Sequence, residues 1–222
     1  GEILGIAGLV GAGRSELVNA VFGKDKKLSG KVLVNGLEVR IKSPADAMKQ
    51  GIALLTEERK KDGIIGGMSI RENITLPSLK KVSGKGILNF RKERELSQKY
   101  FEGLNVKAPG SDTLLGQLSG GNQQKVVLGK WIAREPQILI LDEPTRGIDV
   151  GAKYEIYKII VDLARQGKGI IMISSELPEL LSMADRIMVI SDQKIRGTLS
   201  AEEATQQKVM ELSALSESSM AQ

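Results

Sequence analysis

A chain of 222 residues with 41% hydrophobic and 27% charged side chains has a globular composition, long enough to bury about 70% of its unfolded surface in one domain. It carries no Cys and no His, which removes disulfides, thiol nucleophiles, Cys/His zinc sites and every imidazole mechanism, and its 3% aromatics leave few residues for stacking on a base. The net charge of +5 is spread along the chain as on a solvated surface, so no nucleic-acid partner is expected, and no apolar run approaches the ~20 residues that span a bilayer.

In chain order, residues 1–7 are a short apolar strand that runs into Gly8-Leu9-Val10-Gly11-Ala12-Gly13-Arg14-Ser15, with a helix expected over residues 16–22. Strand, glycine loop and helix are the context in which backbone N–H groups wrap a phosphate at a helix start. The loop motif calls for Lys before Ser, and this chain has Arg14, a longer and fork-shaped cation, so good hydrolysis geometry is not expected. Residues 31–34 and 37–41 flank Asn35-Gly36 and read as a hairpin-like pair on an antiparallel edge. Ser43-Pro44 starts a short helix to residue 50, and residues 51–57 form a strand ending at Glu57, which either meets a metal or water or only closes a strand at the surface. From residue 68 to about 117 the pattern turns helical, broken at Pro77, Ser83-Gly84 and Pro109-Gly110, with a charged helix face at residues 91–95.

Two blocks then dominate. In Leu118-Ser119-Gly120-Gly121-Asn122-Gln123-Gln124-Lys125, a hydroxyl and bare backbone N–H groups precede a helix read over residues 122–132, which makes a ready anion site. Residues 138–141 are a buried aliphatic strand ending in Asp142 and Glu143, where one carboxylate would organise Mg²⁺ and the next orient water. Beyond it, residues 146–153 lead into a helix to residue 165. A buried strand follows over residues 169–176, then a helix at 177–184, strands at 186–190 and 194–198, an end helix over 201–215 and a polar tail at 216–222 expected to fray. Trp131, on the helix after the first block, is read as packing.

Taken together, these motifs resemble ATP-binding-cassette ATPases, and the whole chain is similar to the second of two tandem cassettes in the ATP-binding subunit of bacterial carbohydrate importers of the ribose, galactose and xylose group. The residues that carry this are Gly8 to Ser15, Thr56-Glu57-Glu58-Arg59-Lys60, Leu118 to Lys125, Leu141 to Lys153 and Ile173 to Leu181. The resemblance implies an α/β P-loop NTPase fold: a RecA-like core of mostly parallel sheet, an antiparallel β edge and an inserted helical subdomain at about 68–117, all one nucleotide-binding domain over 1–222. It also implies a cassette cut at its N-terminus, without the aromatic that stacks on adenine. ATP would lie on Gly8, Gly11, Ala12, Gly13, Arg14, Ser15 and Glu16, and Mg²⁺ on Ser15, Asp142 and Glu57. Glu143 is implied as general base with Glu57 in the Q-loop place, while Ser175 takes the place of the switch His and offers one hydrogen bond without charge. Leu118, Ser119, Gly120, Gly121, Asn122 and Gln123 are the signature, acting in trans on a partner cassette, and Asp149 is in the D-loop.

The expected role is to couple ATP binding and hydrolysis to sugar import through membrane permease subunits. The partner cassette would be the N-terminal half of the same subunit, a periplasmic or extracellular sugar-binding protein would act indirectly, and the location would be peripheral on the cytoplasmic face of the membrane. With Arg14 and Ser175 both departing from the pattern and the signature intact, the isolated chain is expected to hydrolyse ATP weakly. A regulatory, nearly inactive cassette that lends its signature is the alternative. A soluble cassette ATPase of DNA repair or translation is a further one, though no coiled-coil or zinc insertion supports it. A GTPase is disfavoured because no Asn-Lys-x-Asp occurs.

Overall fold

The computed structural model describes residues 1–215; the tail read at 216–222 lies outside the described residues. In chain order the elements are β1 (Ile3–Ala7), α1 (Arg14–Phe22), β2 (Val32–Val34), β3 (Leu37–Val39), α2 (Pro44–Lys49), β4 (Ile52–Leu55), α3 (Ile70–Thr75), α4 (Leu79–Val82), β5 (Ser83–Gly84), β6 (Ile87–Leu88) and α5 (Phe90–Gly103). There follow α6 (Gly120–Ile132), β7 (Ile138–Asp142), α7 (Val150–Arg165), β8 (Gly169–Ile173), α8 (Leu177–Met183), β9 (Arg186–Ser191), β10 (Lys194–Ser200) and α9 (Gln206–Ala214). A π-helical turn spans Arg59–Gly63. The chain divides into two compact units.

The first unit comprises Gly1–Leu54, Gln137–Pro144 and the residues from Ile160 on. Its centre is a six-stranded sheet in the order β10-β9-β1-β8-β7-β4. β9, β1, β8 and β7 pair in parallel, and β10 closes the β9 side antiparallel. The inner strands are near-continuous apolar runs because both sheet faces are covered: Ile6, Leu54, Leu139, Ile140 and Leu141 are each at most 2% exposed. This is the mostly parallel core with an antiparallel edge that the resemblance implied. The edge itself is supplied elsewhere. β2 and β3 pair only with each other, three residues each, through a turn in which Asn35 and Gly36 are both left-handed, and Leu33 and Leu37 stay exposed. The seven-residue β10 takes the edge, through a tight turn in which Asp192 (φ 49) and Gln193 (φ 59) are left-handed without being glycine. α9 starts at Gln206, later than the residue-201 start read from the sequence, because residues 201–203 form a turn and Thr205 caps the helix by accepting from Lys208 N.

The second unit comprises Leu55–Pro136 and Thr145–Ile159, wider than the helical stretch read at 68–117. α3 opens on a reciprocal capping box of Ser69 and Glu72. Its Ile70 and Ile74 pack with Tyr100, Val106, Leu115, Val126 and Ala133 into one core, so α3, α5 and α6 bury a shared apolar face. The break read at Ser83-Gly84 is a two-stranded hairpin, β5 with β6. α6 begins at Gly120, two residues earlier than its apolar pattern suggests, because Ser119 is already extended as the N-cap and the glycines form the first turn.

Candidate active site

The register of the parallel strands explains how one site forms at their carboxyl ends. Ile6 of β1 stands beside Ile173 of β8, and Ile173 beside Asp142 of β7, so the loops that leave these strands emerge side by side. From β1 comes the glycine loop. Ala12 N donates to Leu9 O and Gln193 N donates to Ala12 O, which ties the loop to the β9–β10 turn. Gly13 then caps α1 with φ 98, and a Cβ there would be both strained and 3.1 Å from Gln193 Cγ. No side chain caps α1. Its first-turn N–H groups, at Arg14, Ser15 and Glu16, are therefore open to an anion.

Arg14 turns inward. Its Nη1 donates to Ser174 O at 3.1 Å and its Nη2 lies 3.9 Å from Glu143 Oε1, with the two side chains only 10% and 9% exposed. The other oxygen of Glu143, Oε2, accepts from Ser175 Oγ at 3.1 Å, so both carboxylate oxygens are engaged. Glu143 holds φ 51 while its N–H donates to Ile173 O. A left-handed non-glycine residue costs about 1–3 kcal/mol and is characteristic of functional sites. It also turns the Glu143 side chain away from the strand alternation. Next door, Ser174 Oγ donates to Glu179 Oε2 in the first turn of α8, fixing the end of β8.

Asp142 is 3% exposed, and its Oδ1 is buried with no hydrogen-bond partner among the described residues. Burial raises its carboxyl above the usual range, against the lowering effect of the Ser15 hydroxyl that hydrogen-bonds it. A carboxylate with an orphaned oxygen beside a hydroxyl fits Mg²⁺, which binds through one or two protein oxygens and fills its shell with water and phosphate. Among the described residues no group of three or more His, Cys, Asp or Glu could hold a metal by itself, in keeping with a cation that arrives with nucleotide.

The remaining residues implicated by sequence lie in the second unit. Glu57 is taken by an ion pair with Arg146. Ser119 is exposed, its hydroxyl accepting from Asn122 Nδ2, and Asn122 Oδ1 accepts from Lys107 N. Gln123 Nε2 donates to Leu118 O and so holds the segment before the helix. Gly121 is required by packing: a Cβ there would fall 2.4 Å from that of Ala152 on α7. Asp149 Oδ1 accepts from Ala152 N in the first turn of α7. Ser119, Gly121, Asn122, Asp149, Lys125 and Glu155 help line a cleft of about 280 Å³. Lys125 is buried there, paired with Glu155 and donating to Asn105 O at 2.8 Å. Arg59 reaches Gln123 and Gln124. Sequence reasoning assigned no role to Lys125 or Arg59, although both stand inside quoted motifs, because nothing in a linear pattern marks a cation as buried.

A protein-family comparison matches residues 1–146 to the family described as "ABC transporter". The Ribose import ATP-binding protein RbsA of Bacillus cereus is 50% identical over 212 residues, 96% of this chain and 43% of that protein. The protein of the same name from Lactococcus lactis subsp. cremoris is 53% identical over 212 residues, again 96% and 43%. The Galactose/methyl galactoside import ATP-binding protein MglA of Clostridium tetani is 52% identical over 211 residues, 95% and 42%. The chain thus spans less than half the length of these relatives. In fold it is similar to the ADP conformation of the ATP-binding cassette MJ1267 (TM-score 0.78, 23% identity, 95% of this chain and 87% of that one) and to a dimeric MJ0796 cassette bound to ADP and Pi (TM-score 0.77, 20% identity, 90% and 85%).

Proposed function

Because the chain belongs to the ABC transporter family, whose cassettes are P-loop ATPases, we propose that it is the second, C-terminal cassette of a sugar importer's ATP-binding subunit, working head to tail with an N-terminal partner cassette. The 50–53% identity to relatives named for ribose and galactoside import supports a sugar as cargo. Permease subunits would carry the sugar and a binding protein outside would deliver it. No helix among the described residues is long and apolar enough to cross a membrane. The import relatives lead us to place the chain peripherally, on the cytoplasmic face. We read the whole chain as one cassette, the second unit containing its helical subdomain.

In this reading, the N–H groups from Gly11 to Glu16 bind the phosphates of ATP, and Ser15 and Asp142 would hold Mg²⁺. The metal, when bound, neutralises phosphate charge. Glu143 takes a proton from water, and Ser175 orients it. Asp149 in the D-loop shapes the start of α7. The observation that carries the reading is the inward Arg14. It engages Glu143 and Ser174 O, leaving this chain's own base occupied, while the exposed Ser119 and the uncapped first turn of α6 carry no such block. The signature accordingly serves the phosphates on the partner's loop, and the home site is the weaker of the two. Uptake in one vesicle system tests this: Gly120→Asp should abolish most ATP-driven transport, whereas Arg14→Ala should spare more of it. A more damaging Arg14→Ala would make the home site the working one.

A further inference from the structure

Arg59 is a half-buried cation that the reading above leaves without a task. It stands on the π-helical turn, a backbone form that concentrates at functional sites. Its Nε donates to Gln123 Oε1 and its Nη1 to Gln124 Oε1, each at 3.3 Å, so two neutral amides on α6 fix the plane of the guanidinium. No acidic side chain pairs with it among the described residues, and burial pushes its pKa down. Taking a charge out of water without a counter-ion is costly, and an arginine stem is long enough to carry its head into solvent instead. The head is held where it is. Its remaining nitrogen, Nη2, lies 3.2 Å from the point where a Cβ on Gly120 would stand. The same point lies 3.1 Å from Gly147 O and 3.5 Å from Ile148 Cγ2, so the nitrogen stands where the signature's first turn meets the loop before α7.

The bland account is that Arg59 staples the π-turn to α6. It explains Nε and Nη1, but a neutral donor would do the same without desolvating a charge. It does not explain why the third nitrogen is presented at Gly120. We propose that Arg59 is a phosphate-binding residue of the signature, acting in trans: Nη2 donates to the terminal phosphate of the ATP held on the partner's loop, the phosphate supplying the anion that the described residues do not. This rests on the trans role of the signature argued above. Hydrogen bonds to charged groups are worth enough to change affinity by about ten- to a hundred-fold.

The test compares ATP and ADP affinity, both with Mg²⁺, in the two-cassette subunit carrying Arg59→Met, Arg59→Lys or Gly120→Asp, with the thermal midpoint of each variant measured alongside. Arg59→Met should weaken ATP by about ten-fold or more and leave ADP nearly unchanged, because ADP offers no terminal phosphate to reach. Arg59→Lys, which keeps charge but cannot bridge two amides, should recover part of the loss. A fall in thermal midpoint with an unchanged ATP-to-ADP ratio, or equal weakening of both nucleotides, assigns Arg59 to the staple and overturns the proposal. Gly120→Asp separates the two layers of argument. If it collapses the ratio and Arg59→Met does not, only Arg59 is misassigned; if neither moves the ratio, the trans signature falls with it.

Discussion

At the scale of single residues, the site turns on atoms whose partners are inside or missing. Asp142 Oδ1 is buried and unpaired, and burial raises its carboxyl, so an ionised Asp142 weighs against the nucleotide-free fold. The amide of Asp142→Asn is uncharged yet still accepts from Ser15. We expect this variant to be more stable than wild type without ligand, by about 1–3 kcal/mol, and to lose the stabilisation that Mg²⁺ with ATP brings to wild type. Thermal unfolding with nucleotide, with and without chelator, checks both halves; a variant less stable when empty, or still stabilised by the metal, contradicts the assignment of Asp142 to Mg²⁺. Much of this site was legible in the sequence, since an apolar strand ending in Gly8 to Ser15 and another ending in Asp142-Glu143 place their loops side by side in any parallel sheet. The direction of Arg14 was not. A glycine-loop pattern says where the cation starts, whereas Ser174 O and Glu143, 160 and 129 positions further on, decide where it ends.

At the scale of elements, α6 carries the signature at one end and a half-buried cation at the other. Lys130 donates to Gly63 O in the π-helical turn and lies 5.4 Å from the Trp131 ring centroid; burial lowers it from 10.5 to about 8. The sign follows from linkage. Between about 8 and 10.5 the unfolded chain holds a proton on this amine that the folded chain has released, so the folded state gains stability as pH rises through that window. Wild type should gain about 1 kcal/mol from Lys130 between about pH 7.5 and 9.5, allowing for partial solvent access, and Lys130→Met should lack this component. Urea midpoints of both proteins at the two pH values measure it; parallel curves would show that Lys130 is solvated in both states. The reading of Trp131 as packing is consistent with its half-buried place on this helix. The start of α2 was legible because its cap is local, Ser43 accepting from Asp46 N ahead of Pro44, whereas the Ser69–Glu72 box of α3 went unread inside a broadly helical stretch. The placement of the β2–β3 pair was not, because Asn35-Gly36 specifies a hairpin and says nothing about which sheet it joins.

At the scale of the whole molecule, the two sets of groups proposed above to meet phosphates are in different condition. Arg14, Glu143 and Ser175 are occupied with one another, whereas Ser119 and Arg59 keep donors to spare. The signature, the carboxylate pair and their order were legible as motifs; which set was internally engaged was a property of side chains brought together over more than a hundred positions. If that engagement sets the rate, the chain by itself should turn over ATP more slowly than ~1 s⁻¹, the lower end of ordinary enzyme rates, even at high concentration. Undoing it should help. A lysine at 14 is shorter and has one compact charge, so Arg14→Lys releases Glu143 Oε1 and Ser174 O and leaves the ammonium free to follow the phosphates. A histidine at 175 restores a ring that can share a proton. In the two-cassette subunit proposed above, with the partner loop disabled, Arg14→Lys with Ser175→His should raise residual turnover by about ten-fold or more, a change of at least ~1.4 kcal/mol in barrier. The comparison is made against Arg14→Lys alone and Ser175→His alone, because the two contacts share one carboxylate and their effects should exceed the sum. If the double variant is no faster than wild type, the weakness of the home site does not lie in the Arg14–Glu143–Ser175 contacts, and the asymmetry between the two sets must be sought in the partner.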